Sequence, residues 1–423
     1  MRPGSRTAVA LALLGPVAAS GAIAQQASGL PTAAASQGPH ISLITIGPGP
    51  VIWELFGHNM IRVMDPAAGI DVAYDWGRFD FGQRNFFWNF LQGRMRYWMA
   101  RNDPIRTIAY YESVGRSIRI QDLSLTPDQA RALAERLDRN AEPDQMFYRY
   151  DYYRDNCSTR VRDALDGALD GALERDLTHF PSHSTYRSQT AALTSGRPLW
   201  FFGLMLMLGP GADERLDAWQ ESFIPMELAR HLVSVTILDP DGTEAPLVIR
   251  SDSIPARSGV VGASRAPEFW TRWFLLGGVV VGGALAWTGW RSGGGKSRGP
   301  FVTLAGIWSL LSGLAGFAMV YLWAFTDHTV AYRNENLLQS SVLGLALFGL
   351  LAASARGRDT ARGVCVMSAA ILVASILGLI LKVFPGPQQV NGVVLAFFIP
   401  ANLGMALGAM RAVQSSARTL GPT

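Results

Sequence analysis

The apolar positions divide the 423-residue chain into a mixed first part and a mostly apolar last third. In the first part, ISLITIG and FGHNMIRVMDP are predicted strands, and IDVAYDWG alternates apolar and polar residues like the second strand of a hairpin. RNFFWNFLQG has helical spacing, and TPDQARALAERLDRN is a predicted helix with Thr126 as N-cap and Pro127 at its first position. These patterns predict an α+β domain over residues 40–250.

The last third contains five apolar stretches, which predict an all-α bundle of about five transmembrane helices. Their lengths suit a hydrocarbon core of about 30 Å. The predicted spans are 272–290, 301–325, 339–355, 363–384 and 390–410. The predicted membrane domain takes residues 271–411, after a linker at 251–270 and before a cytoplasmic tail at 412–423.

The N-terminus has the pattern of a secretory signal, with the basic MRPGSR, the short apolar TAVALALLGPVAAS and the small residues AIA for cleavage. We predict a signal peptide over residues 1–24 and a disordered leader over residues 25–39. Three groups of basic residues then fall on the opposite face of the membrane from the first domain, as the positive-inside rule requires. The groups are Arg291, Lys296 and Arg298; Arg356, Arg358 and Arg362; and Arg411 and Arg418.

Charge and cysteine content narrow the function classes. The formal charge of +4 is mild and the arginines are spread along the chain, so nothing favours a nucleic-acid partner. The chain has two cysteines, and Cys365 lies in a predicted span, poorly placed to pair with Cys157. A free thiol in an exported domain is a liability unless it is used. No Cys/His group has the spacing of metal ligands, and we expect no metal and no cofactor.

Cys157 opens a predicted helix in YYRDNCSTRVRDAL. A helix N-terminus carries about half a positive charge, which favours the nucleophilic thiolate. This position favours a catalytic cysteine, and an inert buried thiol is the alternative. The candidate bases of the exported domain are His40, His58, His179, His183 and His231. His58 follows Gly57 at the start of a predicted strand and could face a cleft, although a polar strand-edge residue is the alternative.

The blocks FGHNMIRV, YDWGRFDF, YYRDNCSTRVRDAL and ESFIPMEL resemble signature blocks of the Lnb-type lipoprotein N-acyltransferase family. FTDHTVAYRNENLL, between the second and third spans, resembles a block of its membrane half. The resemblance implies a circularly permuted papain-like extracytoplasmic domain, similar to NlpC-type thiol folds, in which the histidine strand precedes the cysteine helix. It also implies a periplasmic catalytic domain at the bacterial inner membrane. The implied reaction moves an acyl chain from membrane phospholipid to the N-terminal amine of lipoproteins.

The same resemblance makes Cys157 the nucleophile and His58 the general base. The third, orienting group usually lies on the strand after the histidine, which makes Asp75 the candidate, with Asn85 and Asp65 behind it. An aspartate there would hold the imidazole and favour its charged form, whereas a solvated turn residue is the other interpretation of Asp75. Substrate-binding or oxyanion roles are further predicted for Asn59, Tyr153, Asn156, His328, Asn334 and Asn336.

The stretch YDWGRFDFGQRNFFWNFLQGRMRYWM holds ten aromatic residues in 26. One interpretation is a core strand and helix, and the other is a lipid-facing lip with arginines at the level of the phosphates. A single helix can do both with opposite faces. The polar loop after the second span, which contains His328, is predicted on the outer side. It either caps helix ends or closes over the active site.

We therefore predict a thiol-dependent acyltransferase whose two substrates both lie in the bilayer. Two alternatives stay open. The same cysteine–histidine pair could hydrolyse a cell-wall peptide or a lipid ester, or the protein could be a non-catalytic envelope scaffold. Both enzyme interpretations predict complete loss of activity when Cys157 is replaced, whereas the scaffold predicts tolerance.

Overall fold

The computed structural model describes residues 38–238, 242–257, 269–293, 299–385 and 388–419. The predicted signal peptide lies outside these residues, as does the predicted leader up to residue 37. Within the described residues, a sheet-rich first domain is followed by five helices that are long and apolar enough to cross a membrane. The predicted order of an α+β domain and a helical membrane domain is confirmed.

The first domain contains eleven described strands, most of which form one antiparallel sheet. Its strands are β1 (His40–Ile46), β2 (His58–Asp65), β3 (Ile70–Arg78), β4 (Arg96–Asn102), β5 (Ile118–Leu123), β6 (Phe147–Arg149), β7 (Pro181–Thr185), β8 (Arg215–Asp217), β9 (Thr236–Leu238), β10 (Glu244–Pro246) and β11 (Val248–Ile254). In the described residues, seven of them form one sheet in the order β11-β5-β1-β2-β3-β4-β6, while β7 pairs with β8 and β9 with β10. β11 continues past residue 250, the predicted end of the domain, because its last residues pair with β5.

The β2–β3 hairpin sets the positions of two candidate site residues. Asp65 closes the turn, because its Oδ1 accepts hydrogen bonds from the N–H groups of Ala67 and Ala68. The resulting register pairs Met60 with Asp75. Because side chains alternate along a strand, His58 and Asp75 project from the same face of the sheet, at neighbouring positions of adjacent strands.

Helices cover the sheet and connect it to the membrane domain. They are α1 (Phe86–Gln92), α2 (Pro104–Ser113), α3 (Pro127–Asn140), α4 (Cys157–Ala168), α5 (Ala172–Thr178), α6 (Tyr186–Thr194), α7 (Pro198–Met207), α8 (Ala218–Glu221), α9 (Pro225–Leu232), α10 (Phe269–Gly293), α11 (Gly299–Phe325), α12 (Leu343–Ala355), α13 (Ala361–Ile380) and α14 (Gly392–Thr419). The predicted capping box at Thr126 begins α3. α3 and α4 pack together against Ile61 and Val63 of β2, which project from the face opposite to Met60.

The membrane domain follows the predicted spans closely. The apolar helices are Phe269–Ser292, Gly299–Phe325, Glu335–Ala355, Ala361–Val383 and Gly392–Ala412. α10 and α14 approach each other at glycines: a Cβ atom at Gly282 would lie 2.2 Å from the carbonyl oxygen of Pro400. Small residues allow such close backbone contact between membrane helices, so these glycines determine how the two helices pack.

Candidate active site

Cys157 is the first residue of α4, as predicted, and its side chain is partly exposed. Asn156 is the N-cap, and its Oδ1 accepts the N–H groups of Ser158 at 2.8 Å and Thr159 at 3.0 Å. The N–H of Cys157 precedes both and is not among the groups that this cap satisfies. A thiolate, and an oxyanion that forms beside it, are both favoured at such a helix end.

His58 and Asp75 form a hydrogen-bonded pair, with His58 Nε2 donating to Asp75 Oδ2 at 3.0 Å. Asp75 is fully buried and the His58 side chain is 17% exposed, so the imidazole is the part of this pair that meets the solvent. The interpretation of Asp75 as a solvated turn residue is wrong, because it lies inside β3 between two paired strands. The two reserve candidates lie in turns: Asp65 closes the β2–β3 hairpin, and Asn85 precedes α1 with φ of 60°.

Asp75 has two further partners that the sequence did not indicate. Asn102 Nδ2 donates to Oδ1 at 3.0 Å, and Arg78 Nε donates to Oδ2 at 3.0 Å. Burial acts to raise the pKa of Asp75, but His58 and then Arg78 outweigh it and lower the pKa below its ordinary value. Arg78 could have been identified from the sequence, because it lies only three residues after Asp75. Asn102 could not, because its place depends on the register between β3 and β4, which pairs Asp75 with Ala100.

Cys157 is the second neighbour of His58, close enough for its charge to act on the imidazole. Burial acts to lower the pKa of His58, but the charge of a Cys157 thiolate and the bond to Asp75 hold it well above its ordinary value. Gly77 borders the thiol, since a Cβ atom there would lie 3.5 Å from the Cys157 Cβ, and its φ of 99° suits glycine. The structure thus brings Cys157 next to the hydrogen-bonded pair of His58 and Asp75.

Asn59, Tyr153 and Asn156 lie around the start of α4, and all three are buried. Asn59 Nδ2 donates to Ser158 Oγ at 3.0 Å, the Tyr153 hydroxyl lies 2.7 Å from Thr190 Oγ1, and Asn156 Nδ2 donates to the carbonyls of Tyr152 and Phe223. These bonds fix the N-terminal end of α4 against its surroundings. A direct contact of the three side chains with substrate stays a prediction.

His328 joins the outer loop of the membrane domain to the loop before Cys157. Its Nε2 donates to the carbonyl oxygen of Phe90 at 3.0 Å, which leaves Nδ1 to accept from the Tyr152 hydroxyl at 3.3 Å. The rings of His328 and Tyr152 also stack, with centroids 5.9 Å apart. Nδ1 thus holds the loop before Cys157 (residues 150–156), which we call the thiol-bearing loop, and Nε2 holds α1 against the membrane domain.

Asn334 and Asn336 bind a different part of the first domain. Their Nδ2 atoms donate to the Leu206 carbonyl, both at 2.9 Å, near the end of α7. Their Oδ1 atoms accept from Gln389 and Asn391, which precede α14. The two asparagines thus fasten α7 to the membrane domain, and their predicted substrate contact stays a prediction.

One group of side chains outside this site has the composition of a metal site. Glu221, Glu227 and His231 each bring a ligand atom within 4.8 Å of the others, and Glu227 and His231 share one face of α9. Arg230 donates to Glu221 at 3.0 Å and to Glu227 at 2.7 Å, so each carboxylate already has a cationic partner within the protein.

The fold and the site define a multi-pass membrane protein whose sheet-rich first domain carries a thiol beside a histidine–aspartate pair. A family model described as the Lnb N-terminal periplasmic domain matches residues 32–191, and one described as the Lnb transmembrane domain matches residues 274–408. The chain belongs to the Lnb family, which confirms the predicted resemblance. Its first domain is accordingly periplasmic, and membership indicates a membrane-associated protein of lipoprotein processing. Comparison with curated proteins and with solved structures found no match.

Proposed function

We propose that the protein is a thiol-dependent acyltransferase of the bacterial inner membrane. It moves a fatty acyl chain from phospholipid to the N-terminal amine of lipoproteins. The observation that carries this proposal is the contact of the thiol-bearing loop with the outer loop of the membrane domain, through Tyr152 and His328. A nucleophile held at the end of a membrane helix is within reach of lipid esters, whereas a soluble substrate would need no such arrangement.

The first chemical step forms a thioester. His58 takes the proton from Cys157 Sγ, and the thiolate attacks the carbonyl carbon of an acyl ester. The N–H of Cys157 donates to the oxyanion of the tetrahedral intermediate. The bond from that carbon to the glycerol oxygen then breaks, and His58 returns its proton to this oxygen. The products are a lysophospholipid and acylated Cys157.

The second step transfers the acyl group to an amine. The lipoprotein α-amino group attacks the thioester, the carbon–sulfur bond breaks, and an amide forms. His58 accepts the proton of the attacking amine and delivers it to the leaving sulfur. The pair with Asp75 supports this role, because it fixes the ring orientation and stabilises the imidazolium that is formed twice in the cycle.

We also propose that the periplasmic domain is a circularly permuted papain-like fold. In favour of this assignment, the histidine strand β2 precedes the cysteine helix α4 in the chain, and α4 packs against β2 and β3. Such folds use a cysteine at a helix N-terminus with a histidine on a neighbouring strand, which is the arrangement of Cys157 and His58.

Intact mass spectrometry tests the proposal. The purified full-length protein is incubated with phospholipid vesicles, and the wild type is compared with Cys157→Ala and with the matched variant Cys365→Ala. We expect the wild type and Cys365→Ala to gain the mass of one acyl chain that hydroxylamine removes. Cys157→Ala should gain none, although it should remain folded.

Other outcomes would contradict the proposal in distinct ways. If no adduct forms while free fatty acid and lysophospholipid accumulate, the protein is a lipid hydrolase with the same residues. If a folded wild-type protein forms no adduct and turns over no lipid, the peptidase and scaffold alternatives take its place. An adduct that persists in Cys157→Ala would exclude this thiol as the nucleophile.

A further inference from the structure

The periplasmic domain exposes a group of large apolar side chains on and near α1. Its most exposed members are Trp53, Phe81, Phe87, Trp88, Phe90 and Leu91. We call this group the aromatic surface. Water-exposed apolar residues are common singly, but a contiguous patch of this kind marks a contact with another apolar phase.

Hydrogen bonds hold the end of α1 at the outer end of the membrane helix α11. Gln92, the last residue of α1, donates through Nε2 to the hydroxyl of Tyr321 at 2.5 Å, and its carbonyl accepts the N–H of Asp327 at 2.9 Å. Tyr321 lies four residues before the end of the membrane helix α11, which corresponds to about 6 Å along the helix axis. The end of α1 therefore lies level with the outer end of a membrane-spanning helix.

The aromatic surface continues inward as an unbroken series of ring contacts. Phe87 contacts Phe86 at a centroid distance of 5.6 Å, and Phe86 stacks on Phe79 at 5.9 Å. Phe79 then stacks on Tyr97 at 5.1 Å, and Tyr97 on Tyr150 at 4.2 Å. The series thus runs from the membrane side of α1 to a tyrosine seven residues before Cys157.

Two observations place the inner end of this series at the thiol. Phe79 follows two residues after Gly77, which borders the Cys157 side chain. Burial of the hydroxyl, and then the charge of Cys157, raise the pKa of Tyr150, as expected for a hydroxyl close to the sulfur. Phe79, Tyr97 and Tyr150 are each only partly buried, so part of each ring stays accessible where the stacking does not cover it.

We propose that these rings form the path along which one acyl chain of a bilayer phospholipid passes from the outer leaflet to Cys157. This inference rests on the proposed acyl transfer and specifies how the donor lipid reaches the thiol. Phe87, Trp88 and Phe90 enter the leaflet beside α11, and Phe79, Tyr97 and Tyr150 line the way to the sulfur. A flexible hydrocarbon chain suits a wall of aromatic rings, which offers apolar contact without requiring a fixed hydrogen-bonding pattern.

The test measures chain-length preference in the full-length protein. Acylation of Cys157 is followed by intact mass with a long-chain phospholipid in vesicles and with a short-chain, water-soluble phospholipid. We compare Phe87→Ser and Phe79→Ser with the wild type. We expect the ratio of long-chain to short-chain acylation rates to fall by about tenfold or more, the scale of losing an apolar contact in a binding pocket.

Two controls separate this effect from misfolding. Phe87→Leu keeps an apolar side chain and is expected to retain most of the preference for the long chain. Phe180→Ser removes a comparably exposed aromatic ring outside the series and is expected to keep the wild-type ratio. Because Phe87 is 75% exposed, Phe87→Ser is expected to fold normally, and thermal unfolding checks this.

The outcomes distinguish the inference from the proposed function. A wild-type protein that is acylated by neither phospholipid contradicts the proposed function itself. A wild type that is acylated, together with serine variants that keep its chain-length ratio, overturns the acyl path alone. If the variants form the thioester normally and slow only its transfer to a diacylglyceryl peptide, the rings bind the acceptor and the inference is wrong.

Discussion

Asp75 controls the charge of the candidate site through its bond to His58. Its own pKa is lowered on folding, so the stabilisation that it contributes is complete above the ordinary aspartate pKa and is lost as pH falls through the lowered value. The pKa of His58 is raised, so its contribution is complete below the ordinary histidine pKa and is lost as pH rises through the raised value. The raised pKa of His58 and the lowered pKa of Asp75 therefore both favour the charged form of the pair.

Replacing Asp75 by Asn should remove the charge interaction between residue 75 and His58. The amide keeps the size of the side chain but removes the negative charge, so the pKa of His58 falls and its imidazolium is less stable. We expect acylation of Cys157 to slow by about 100-fold or more, as for loss of an acid–base group. The pH profile of Cys157 alkylation, measured in a Cys365→Ala background, should lose the component that titrates with the raised pKa of His58.

Asp71→Asn is the matched control for this variant. Asp71 lies on the same strand and binds Arg62 Nε at 2.7 Å, at the end of β3 remote from the thiol. It should leave both the rate and the pH profile as in the wild type. An Asp75→Asn protein that is folded and keeps the wild-type profile would show that Asp75 only fills space.

The sequence allowed the three central residues of the site to be predicted, but not the residues that hold them. Cys157 was predictable because the residues around it are local signals of a helix start, and His58 because it begins a strand. Asn102 reaches Asp75 from a strand 27 positions away, and the ring of Tyr150 reaches the site through stacking on Tyr97. Contacts of this kind depend on strand register and packing, which residue spacing does not determine.

At the scale of elements, the N-terminal end of α4 is the feature on which the thiol depends. Asn156→Ala removes the acceptor for two N–H groups, at a cost of about 0.5–2 kcal/mol. It also leaves the buried carbonyls of Tyr152 and Phe223 without their donor, which adds about 1–3 kcal/mol. We expect a lower unfolding temperature and slower alkylation of Cys157, because the fraying helix end stabilises the thiolate less.

Thr126→Ala provides the comparison at another helix. Thr126 is the N-cap of α3, and its loss should lower the free energy of unfolding by a similar cap contribution without a change in Cys157 reactivity. If both variants slowed alkylation equally, the effect would reflect general destabilisation and not the helix end at the thiol.

The α10–α14 pair gives a prediction for the membrane domain. A Cβ atom at Gly282 would lie 2.2 Å from a backbone oxygen of α14, whereas one at Gly283 would meet nothing within 4 Å. Gly282→Ala should therefore force the helices apart and destabilise the protein by about 1–3 kcal/mol. Gly283→Ala should be neutral, and thermal unfolding in detergent compares the two. Equal unfolding temperatures would mean that α10 and α14 do not pack at this face.

Helices and hairpins could be predicted where the sequence signal lies within the element itself. The spans agree within a few residues, because about twenty apolar residues identify a membrane helix without reference to its neighbours. The β2–β3 hairpin follows from alternation and turn residues. The placement of β5 between β1 and β11 could not be predicted, since it joins segments from the two ends of the domain.

At the scale of the whole molecule, the outer loop makes the two domains one unit. Asp327 accepts from Arg94 at 2.7 Å and lies 2.8 Å from Arg149, while the next residue, His328, binds α1 and the thiol-bearing loop. The sequence placed this loop on the outer side and offered two roles for it. Which surface it binds could not be predicted, because neither domain's pattern marks its contact with the other.

Replacing Asp327 by Ala tests whether this contact matters for lipid chemistry. Both arginines are more than half exposed, so each ion pair is weak and screened by salt. We expect acylation by phospholipid vesicles to slow about threefold at low salt, with a smaller difference at high salt. Alkylation by a small soluble reagent should stay as in the wild type, because Asp327 does not contact Cys157.

Asp359→Ala, in the loop before α13 at the other membrane face, should change neither rate. A vesicle rate that is insensitive to Asp327→Ala at every salt concentration would mean that the domains stay docked without this ion pair, and that apolar and amide contacts alone hold the thiol at the bilayer.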